Sequence, residues 1–258
     1  MVRNQHIMTD RTITAIAVEG IPIIHPGDDL SRTILDAVKE SEQEILEKDI
    51  IIISSKVVSI AENRIVHSKD IEVSRQARKL AEKNDFDPFQ VELALKESKS
   101  IIRDDRVLIT ETHSGIVCNF AGVDKSNAPE GMYILLPKDA DYSAELVRKS
   151  LSQEIGKSVA IIISDTQGRP WRKGSVNLAI GCAGIAPFKY NKGKYDIYGR
   201  TLEHSTVCQV DELVSLAEPL MGQANQGIPV VIIRGYIYSE DNEKARDIIR
   251  PENEDMFR

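Results

Sequence analysis

The strongest constraint on the fold is the irregular order of apolar strands and amphipathic helices. Ile/Val-rich runs typical of buried strands occupy residues 12–24, 49–60, 106–112, 115–122, 132–137, 158–164, 176–183 and 229–235. Three of these runs follow one another between residues 106 and 137, with no room for crossover helices. This order argues against a doubly wound parallel sheet or a barrel. It predicts an α+β fold in which helices pack on mixed, largely antiparallel sheets.

Five helices are predicted between these runs, at residues 29–46, 74–83, 87–98, 141–155 and 211–221. In the third helix, Asp87 can cap the N-terminus and Pro88 suits the first helical position. Gly156 marks the end of the fourth helix. Residues 240–258 are predicted to form a surface helix followed by a frayed tail. The sequence has no internal repeat, so residues 1–258 are interpreted as a single domain.

The composition argues against several classes of protein. Lys and Arg number 33 against 40 Asp and Glu, and aromatic residues make up 5% of the chain. The basic surface and stacking aromatics of a nucleic-acid-binding protein are therefore not expected. No apolar run has the length of a membrane span, and three distant cysteines indicate neither a disulfide framework nor a zinc site. We therefore expect a cytoplasmic protein that binds neither nucleic acid nor membranes.

The segment at residues 161–174, IIISDTQGRPWRKG, carries the most informative polar residues. An apolar strand is predicted to end at Asp165 and Thr166, followed by a loop interrupted by Gly and Pro. That loop carries three cations, Arg169, Arg172 and Lys173. A carboxylate beside a hydroxyl and several cations suits a divalent metal together with a phosphate group. A turn capped by Asp, with a solvated basic loop, explains the same spacing.

A second acidic strand end lies in the segment NFAGVDKSN at residues 119–127. Asp124 follows an apolar strand and a glycine, and Asn127 lies three residues later. An Asx-turn is the simpler explanation for this segment alone. Two strand ends that carry Asp nevertheless favour a site for Mg²⁺ or Mn²⁺, because paired carboxylates commonly hold these ions.

Two further segments are candidates for phosphate contacts. The loop that opens MGQANQGIPVVIIRG, residues 221–235, contains Gly222 and Gly227, whose neighbouring backbone N–H groups can face a phosphate. A simple connection between elements explains this loop equally well, and the chain contains no P-loop motif. Ser55 and Lys56 follow the strand at 50–53 and suit either a phosphate contact or an ordinary strand exit. The polar loop at 189–200 can cover an acidic substrate or be a mobile surface loop.

Taken together, these segments resemble the F420-0:gamma-glutamyl ligase family over nearly the whole chain. The similarity is carried by V-E-G-I-P-I-I at 18–24, G-D-D-L at 27–30, A-G-V-D-x-S-N at 121–127, S-D-T-x-G-R-P-W-R at 164–172, D-I-Y-G-R at 196–200 and M-G-Q…G-I-P-V-V-I-I-R-G at 221–235. The blocks occur in the family's order, which makes the combination specific.

The resemblance implies a homodimer whose subunits have two intertwined lobes. It also implies a GTP-dependent ligase that adds L-glutamate to the deazaflavin coenzyme F420-0, and to F420-1, through an acyl phosphate. Two divalent ions, Mg²⁺ or Mn²⁺, are implied, with K⁺ as a further possible ion. Asp124 and Asp165 are the implied catalytic residues and would hold one metal. Thr166 and Gln223 would hold the second.

The resemblance also implies a guanine-nucleotide site. Its residues are Ile21, Pro22, Ile23, Ile24, Ser55, Lys56, Asn127, Met221, Gly222, Gln223, Ala224, Asn225, Gln226, Gly227 and Ile228. The cations Arg169, Arg172 and Lys173 are hypothesised to steady the transferred phosphate or the phosphodiester of the substrate.

Two positions depart from the family pattern. The family usually has S-K-A-E-G where this chain has S-I-A-E-N at 59–63, so Ile60 replaces a lysine and Lys56 is the candidate substitute. Gln223 is neutral where relatives can have a carboxylate, which predicts weaker binding of the second metal. Three alternatives stay open: another metal- and nucleotide-dependent phosphoryl-transfer enzyme, a non-enzymatic deazaflavin-binding protein, and a dimeric scaffold.

Overall fold

The structure, a computed structural model, describes residues 12–255. The strands in this part of the chain are β1 (Thr14–Ala17), β2 (Ile50–Ser54), β3 (Ile65–His67), β4 (Ser98–Arg103), β5 (Ile109–Thr112), β6 (Val117–Asn119), β7 (Met132–Ile134), β8 (Ala160–Arg169), β9 (Arg172–Ala183), β10 (Phe188–Tyr190), β11 (Thr206–Cys208) and β12 (Val230–Arg234). The α-helices are α1 (Leu30–Glu40), α2 (Ser55–Ala61), α3 (Arg75–Asn84), α4 (Pro88–Lys96), α5 (Ala140–Ile155) and α6 (Gln209–Met221). Among these residues, no helix is both long enough and apolar enough to span a membrane.

The central sheet has the strand order β1-β12-β2-β8-β9, with helices on both faces. Ile51 and Ile53 of β2 face the core formed with α1, α2 and α5, whereas Ile50 and Ile52 face the core formed with α6. All four side chains are fully buried. Full burial of such a side chain stabilises the fold by about 1.5–3 kcal/mol. The run of four isoleucines is therefore explained by a strand that is covered on both faces.

A second lobe is inserted into the chain between α2 and α5. It contains the sheet β4-β5-β6, the pair β3-β7 and the helices α3 and α4. These elements surround a separate apolar core that includes Val91, Leu108 and Tyr133. Strand pairing is antiparallel throughout the described residues, except between β2 and β8. The α+β class with mixed, mostly antiparallel sheets is confirmed.

The topology brings four chain segments to one edge of the central sheet. Because β2 and β8 are parallel and Ser54 pairs with Ser164, Ser55 and Asp165 follow their partners at the same edge. Strand β12 runs antiparallel to β2, so the loop at 222–229 that precedes it arrives there too. Strand β1 ends at this edge because Ala17 pairs with Val231. Four segments that are distant in sequence therefore lie next to one another at this edge of the central sheet.

Three predicted elements are wrong. The predicted strand at 49–60 ends at Ser54, and the next seven residues form α2. In the segment 161–174, β8 continues through Asp165 to Arg169 and β9 begins at Arg172, so the expected basic loop is the tip of a hairpin. The predicted C-terminal helix, as far as residue 255, is replaced by 3-10 turns at Ala245–Ile248 and Glu252–Glu254. Pro251 lies between these turns and disfavours a continuous helix.

The predicted N-terminal strand, at 12–24, is shorter than expected. Within it only Thr14–Ala17 pairs as a strand. Gly20 has a φ of +79°, and Pro22 cannot donate a backbone hydrogen bond. The residues that follow β1 therefore leave the sheet and are free to form part of a cavity wall at its edge.

Candidate nucleotide and metal site

The residues predicted for nucleotide and metal binding converge on one cavity of about 670 Å³ at this edge of the sheet. The predicted residues that line it are Ile21, Pro22, Ile23, Ile24, Ser55, Lys56, Asp124, Asn127, Asp165, Thr166, Met221, Gly222, Gln223, Ala224, Asn225, Gly227 and Ile228. We call this space the edge cavity. Of the residues predicted to bind the nucleotide or the metal ions, only Gln226 does not line it; its Oε1 accepts a hydrogen bond of 2.8 Å from the backbone N–H of Ala224. Gln226 thus shapes the loop.

A larger cavity, of about 810 Å³, lies on another part of the surface. It is formed by the start of α5, the strand β9, residues 113–117 and the C-terminal segment from Ala245 to Asp255. None of the predicted site residues lines it. The edge cavity is therefore the one to which the sequence motifs point.

Asp165 lies in β8, with its carboxylate held from the neighbouring helix α2. The Ser55 hydroxyl donates a hydrogen bond of 2.8 Å to Asp165 Oδ1. Burial raises the pKa of Asp165 to about 6, although the Ser55 hydrogen bond and the charge of Lys56 act to lower it; the negative charge of Asp124 raises it further. A divalent cation beside this carboxylate would favour its charged form, as expected of a metal ligand.

Asp124 comes from the inserted lobe and meets the central sheet through Lys56. Lys56 Nζ lies 2.8 Å from Asp124 Oδ2, and Ser126 donates to Asp124 through both its backbone N–H and its hydroxyl. Burial acts to raise the pKa of Asp124, but the hydrogen bonds from Lys56 and Ser126 and the Lys56 charge outweigh it, so the pKa is lowered. The inserted lobe therefore presents Asp124, whose pKa is lowered, to the edge cavity, and the central sheet presents Asp165, whose pKa is raised.

Thr166 takes part in a chain of side-chain hydrogen bonds. Its hydroxyl donates to Asn177 Oδ1 over 2.8 Å and accepts from Gln223 Nε2 over 2.9 Å. Gln223 Nε2 also donates to Glu218 Oε1. Asn177 and Glu218 line the edge cavity, but sequence reasoning missed both. A polar residue in the apolar run of β9 was the available signal for Asn177.

The donor set around the edge cavity fits a hard divalent cation. Within residues 12–255, no group of three or more His, Cys, Asp or Glu side chains is arranged to hold a metal ion. The available donors are instead carboxylate, hydroxyl and amide oxygens, which Mg²⁺ and Mn²⁺ prefer. Two buried oxygens on the wall of the edge cavity have no hydrogen-bond partner among residues 12–255: Ser164 Oγ and Glu218 Oε2. Such unpartnered atoms are expected where an ion or ligand belongs.

Asn127 connects the inserted lobe to the loop at 222–229. It has a φ of +56°, a left-handed conformation that asparagine tolerates well. Its Nδ2 donates a hydrogen bond of 3.2 Å to the backbone oxygen of Ala224. Gly222, with a φ of +66°, turns the chain at the start of that loop, where an added Cβ would lie 2.4 Å from the Gln226 side chain. The hydrogen bond between Asn127 and Ala224 therefore links the two segments that form this part of the cavity wall.

Ile60 also lines the edge cavity, one helical turn beyond Lys56 on α2. A cation at either position would project from the same side of this helix.

Three predicted residues are not brought to the site. Arg169, Arg172 and Lys173 lie at the β8–β9 hairpin tip and do not line the edge cavity. The Arg169 guanidinium instead donates to the backbone oxygens of Lys173 and Gly174. Within one chain, these cations lie outside the space to which Asp124 and Asp165 contribute.

Comparison with known proteins agrees with the sequence blocks. The family described as F420-0:Gamma-glutamyl ligase matches residues 20–235. Coenzyme F420:L-glutamate ligase of Methanothermobacter thermautotrophicus is 42% identical over 249 residues, covering 95% of this chain and 99% of the relative. The proteins of the same name from Methanocaldococcus jannaschii and Archaeoglobus fulgidus are 42% and 36% identical, covering 98% and 95% of this chain and 99% and 96% of their own lengths. The chain therefore belongs to the F420-0:gamma-glutamyl ligase family.

Proposed function

We propose that this protein is a ligase that joins L-glutamate to coenzyme F420-0, and to F420-1, using GTP. The names of the relatives support a coenzyme F420:L-glutamate ligase. The observation that carries the finer proposal is the convergence of Asp124 and Asp165, from two lobes, on the edge cavity that also collects Lys56 and the glycine-containing loop. This combination of carboxylates, a cation and exposed backbone suits a metal-bound nucleoside triphosphate.

The reaction begins by activating the terminal carboxylate of the deazaflavin substrate. A carboxylate oxygen attacks the γ-phosphorus of GTP, the bond from that phosphorus to the bridging oxygen breaks, and GDP leaves with an acyl phosphate formed. The α-amine of L-glutamate then attacks the acyl carbon. The carbon–oxygen bond to phosphate breaks, phosphate leaves, and the nitrogen loses a proton to give the amide. No covalent bond to the protein is needed.

The side chains of the edge cavity have separate roles in this proposal. Asp124 and Asp165 would hold one divalent ion, and Thr166 and Gln223 would provide oxygens for a second. Divalent ions bound there would supply positive charge to the phosphate oxygens. Ser55 fixes the orientation of the Asp165 carboxylate. When the nucleotide binds, the Lys56 ammonium can leave Asp124 and pair with a phosphate oxygen instead. The loop at 221–228, residues 21–24 and Asn127 surround the nucleotide.

We further propose that the active form is a homodimer and that K⁺ can act as an additional ion. Light scattering after size-exclusion chromatography gives the molar mass and so tests the dimer. The rate of glutamyl product formation with Na⁺ in place of K⁺ tests the role of the monovalent ion. A monomer that retains full activity would contradict the dimer proposal, and equal rates in both salts would contradict the role of K⁺.

The central test is mass spectrometry of the products formed from F420-0, L-glutamate, GTP and Mn²⁺. We expect products heavier by one or more glutamyl units, and none when GTP is replaced by ATP or the metal is chelated. GTP consumption without any glutamyl product would instead favour a phosphoryl-transfer enzyme of another kind. Deazaflavin binding without turnover would favour a binding protein. The Asp165→Asn variant should lose both product formation and metal-dependent nucleotide binding.

A further inference from the structure

Glu218 is a carboxylate on the wall of the edge cavity that the function proposed above leaves without a role. It lies in the last turn of α6, four residues before Gly222. Its Oε1 accepts a hydrogen bond from Gln223 Nε2. Its Oε2 is buried and has no hydrogen-bond partner among residues 12–255. A buried carboxylate oxygen without a donor costs free energy unless something outside the described chain binds it.

The neighbours of the other oxygen, Glu218 Oε1, indicate what kind of group this carboxylate can bind. Gln223 Nε2 donates both to Glu218 Oε1 and, over 2.9 Å, to Thr166 Oγ1, so these two oxygens face one point from opposite elements. Rotating the Gln223 amide by half a turn exchanges its nitrogen and oxygen. The amide oxygen would then take the place of Nε2, and three oxygens, from a hydroxyl, an amide and a carboxylate, would lie next to one another. Such an oxygen set is suited to a hard cation.

The charge balance of the proposed two-metal site points in the same direction. The second ion is assigned to Thr166 and Gln223, which are both neutral. The described residues that line the edge cavity include only three carboxylates, those of Asp124, Asp165 and Glu218, and the first two are assigned to the first ion. Divalent ions in proteins are usually held by at least one carboxylate. Glu218 is the remaining carboxylate on this wall.

We propose that Glu218 is a ligand of the second divalent ion, together with Thr166 and Gln223. This inference rests on the two-metal part of the proposed function. It also explains how a neutral Gln223 is compatible with a divalent ion, since the negative charge is supplied from the preceding helix. A weaker alternative is that Glu218 only orients Gln223 through their hydrogen bond. The two roles differ in whether the charge of residue 218 matters.

The experiment counts Mn²⁺ ions bound to the full-length protein in the presence of GDP, by electron paramagnetic resonance and calorimetric titration. The wild type should bind two ions. Glu218→Gln keeps the size of the side chain and one oxygen that can accept from Gln223 but removes the charge, so the dissociation constant of the second ion should rise about tenfold or more while the first is unchanged. Glu212→Gln, an exposed position on the same helix, is the matched control and should still bind two ions.

A double variant separates ligation from orientation. Glu218→Gln combined with Gln223→Glu moves the negative charge to the neighbouring ligand and should restore the second ion. Glu218→Gln that binds both ions within twofold of the wild type would overturn the proposal, as would failure of the double variant to recover the second ion. Loss of both ions would show a general effect on the site and would also overturn it. Circular dichroism melting verifies that each variant is folded.

The proposed function can fail separately. A wild type that binds fewer than two Mn²⁺ ions contradicts the two-metal site and this inference together, while the product assay with F420-0, GTP and L-glutamate still decides whether the protein is a ligase. A wild type that binds two ions but forms no glutamyl product contradicts the ligase proposal and leaves the role of Glu218 to be decided by the variants.

Discussion

The Ser55 hydroxyl donates a hydrogen bond of 2.8 Å to Oδ1 of Asp165, which lies 110 residues later in the chain. Ser55 begins α2 directly after β2, and Asp165 follows the parallel strand partner Ser164 in β8. The bond therefore joins the residue after β2 to the residue of β8 that follows the last parallel pair. It fixes a carboxylate whose charge is made unfavourable by burial, and this has a measurable consequence for stability.

Replacing Asp165 by Asn should stabilise the metal-free protein more at neutral pH than at pH 5. The pKa of Asp165 is raised from 3.8 to about 6, so the folded state holds this proton more tightly than the unfolded state. The resulting stabilisation of the wild type is complete below about pH 4 and is lost as the pH rises through 6. The advantage of Asp165→Asn should therefore grow by about 1 kcal/mol between pH 5 and pH 7.5. Urea unfolding in EDTA measures it.

The matched control for this prediction is Asp70→Asn, at an exposed position after β3. It changes the same chemical group without the burial that acts on Asp165. Its effect on the free energy of unfolding at each pH is subtracted from that of Asp165→Asn. A difference for Asp165→Asn that stays constant between pH 5 and pH 7.5 would contradict the raised pKa.

Removing the charge of Lys56 should raise the pKa of Asp124. Burial acts to raise this pKa, and the Lys56 ammonium, 2.8 Å from Oδ2, is a main reason why it is lowered. In Lys56→Met the burial effect remains and the opposing charge is lost, so the carboxylate should titrate at higher pH. Carboxyl-detected NMR of the metal-free protein measures the change. Lys56→Arg keeps the charge and should leave the pKa low; an unchanged pKa in Lys56→Met would refute the assigned cause.

Ile60→Lys should strengthen nucleotide binding. Ile60 lines the edge cavity one turn beyond Lys56, and Lys56 is already engaged with Asp124 and Ser126. A second cation on this face of α2 is free to meet phosphate oxygens, and we expect the affinity for GTP to rise about three- to tenfold at low salt, with less gain at high salt. Calorimetric titration at two ionic strengths measures it.

Ile60→Met is the control for this substitution, because methionine is unbranched like lysine and of similar volume but carries no charge. Part of Ile60 packs against the apolar core, so both variants should lose some stability. Only the lysine variant should gain affinity. Equal GTP affinities of Ile60→Lys and Ile60→Met would exclude the electrostatic explanation.

The lining of the edge cavity was predictable from sequence where polar residues follow apolar strand segments. Asp165 follows the apolar start of β8, Asp124 closes an apolar segment, and both face the edge cavity. The meeting of these segments follows from the parallel pairing of β2 and β8, which no local pattern encodes. Ser55 was a candidate because it follows the isoleucine run at 50–53, but its bond to Asp165 depends on the β2–β8 register. Local sequence therefore indicated the residues, and topology brings them together.

The wrong and missed predictions have a different cause: tertiary contacts override local secondary-structure propensity and give single residues their role. Residues 57–60 include Val57, Val58 and Ile60, which favour strands, so the predicted strand continued past Ser54. The helix α2 forms there because its apolar side chains, with Val58 fully buried, pack under β2 and β8. Glu218 was missed because a single carboxylate near a helix end carries no motif. Its importance is visible only once Gln223 and Thr166 are placed beside it.

Asn177 should position the Thr166 hydroxyl for the second metal ion. Its Oδ1 accepts a hydrogen bond of 2.8 Å from the Thr166 hydroxyl, which directs the hydroxyl lone pairs away from β9 and toward Gln223. Asn177→Ala removes this acceptor, and since loss of such a supporting bond usually weakens metal binding about 10- to 100-fold, we expect the second Mn²⁺ to be lost first. Titration with Mn²⁺ and GDP measures both ions. Ser215→Ala removes only a bond to the backbone oxygen of Asn177 and should bind normally. If the two variants bind Mn²⁺ equally, the hydroxyl does not need Asn177.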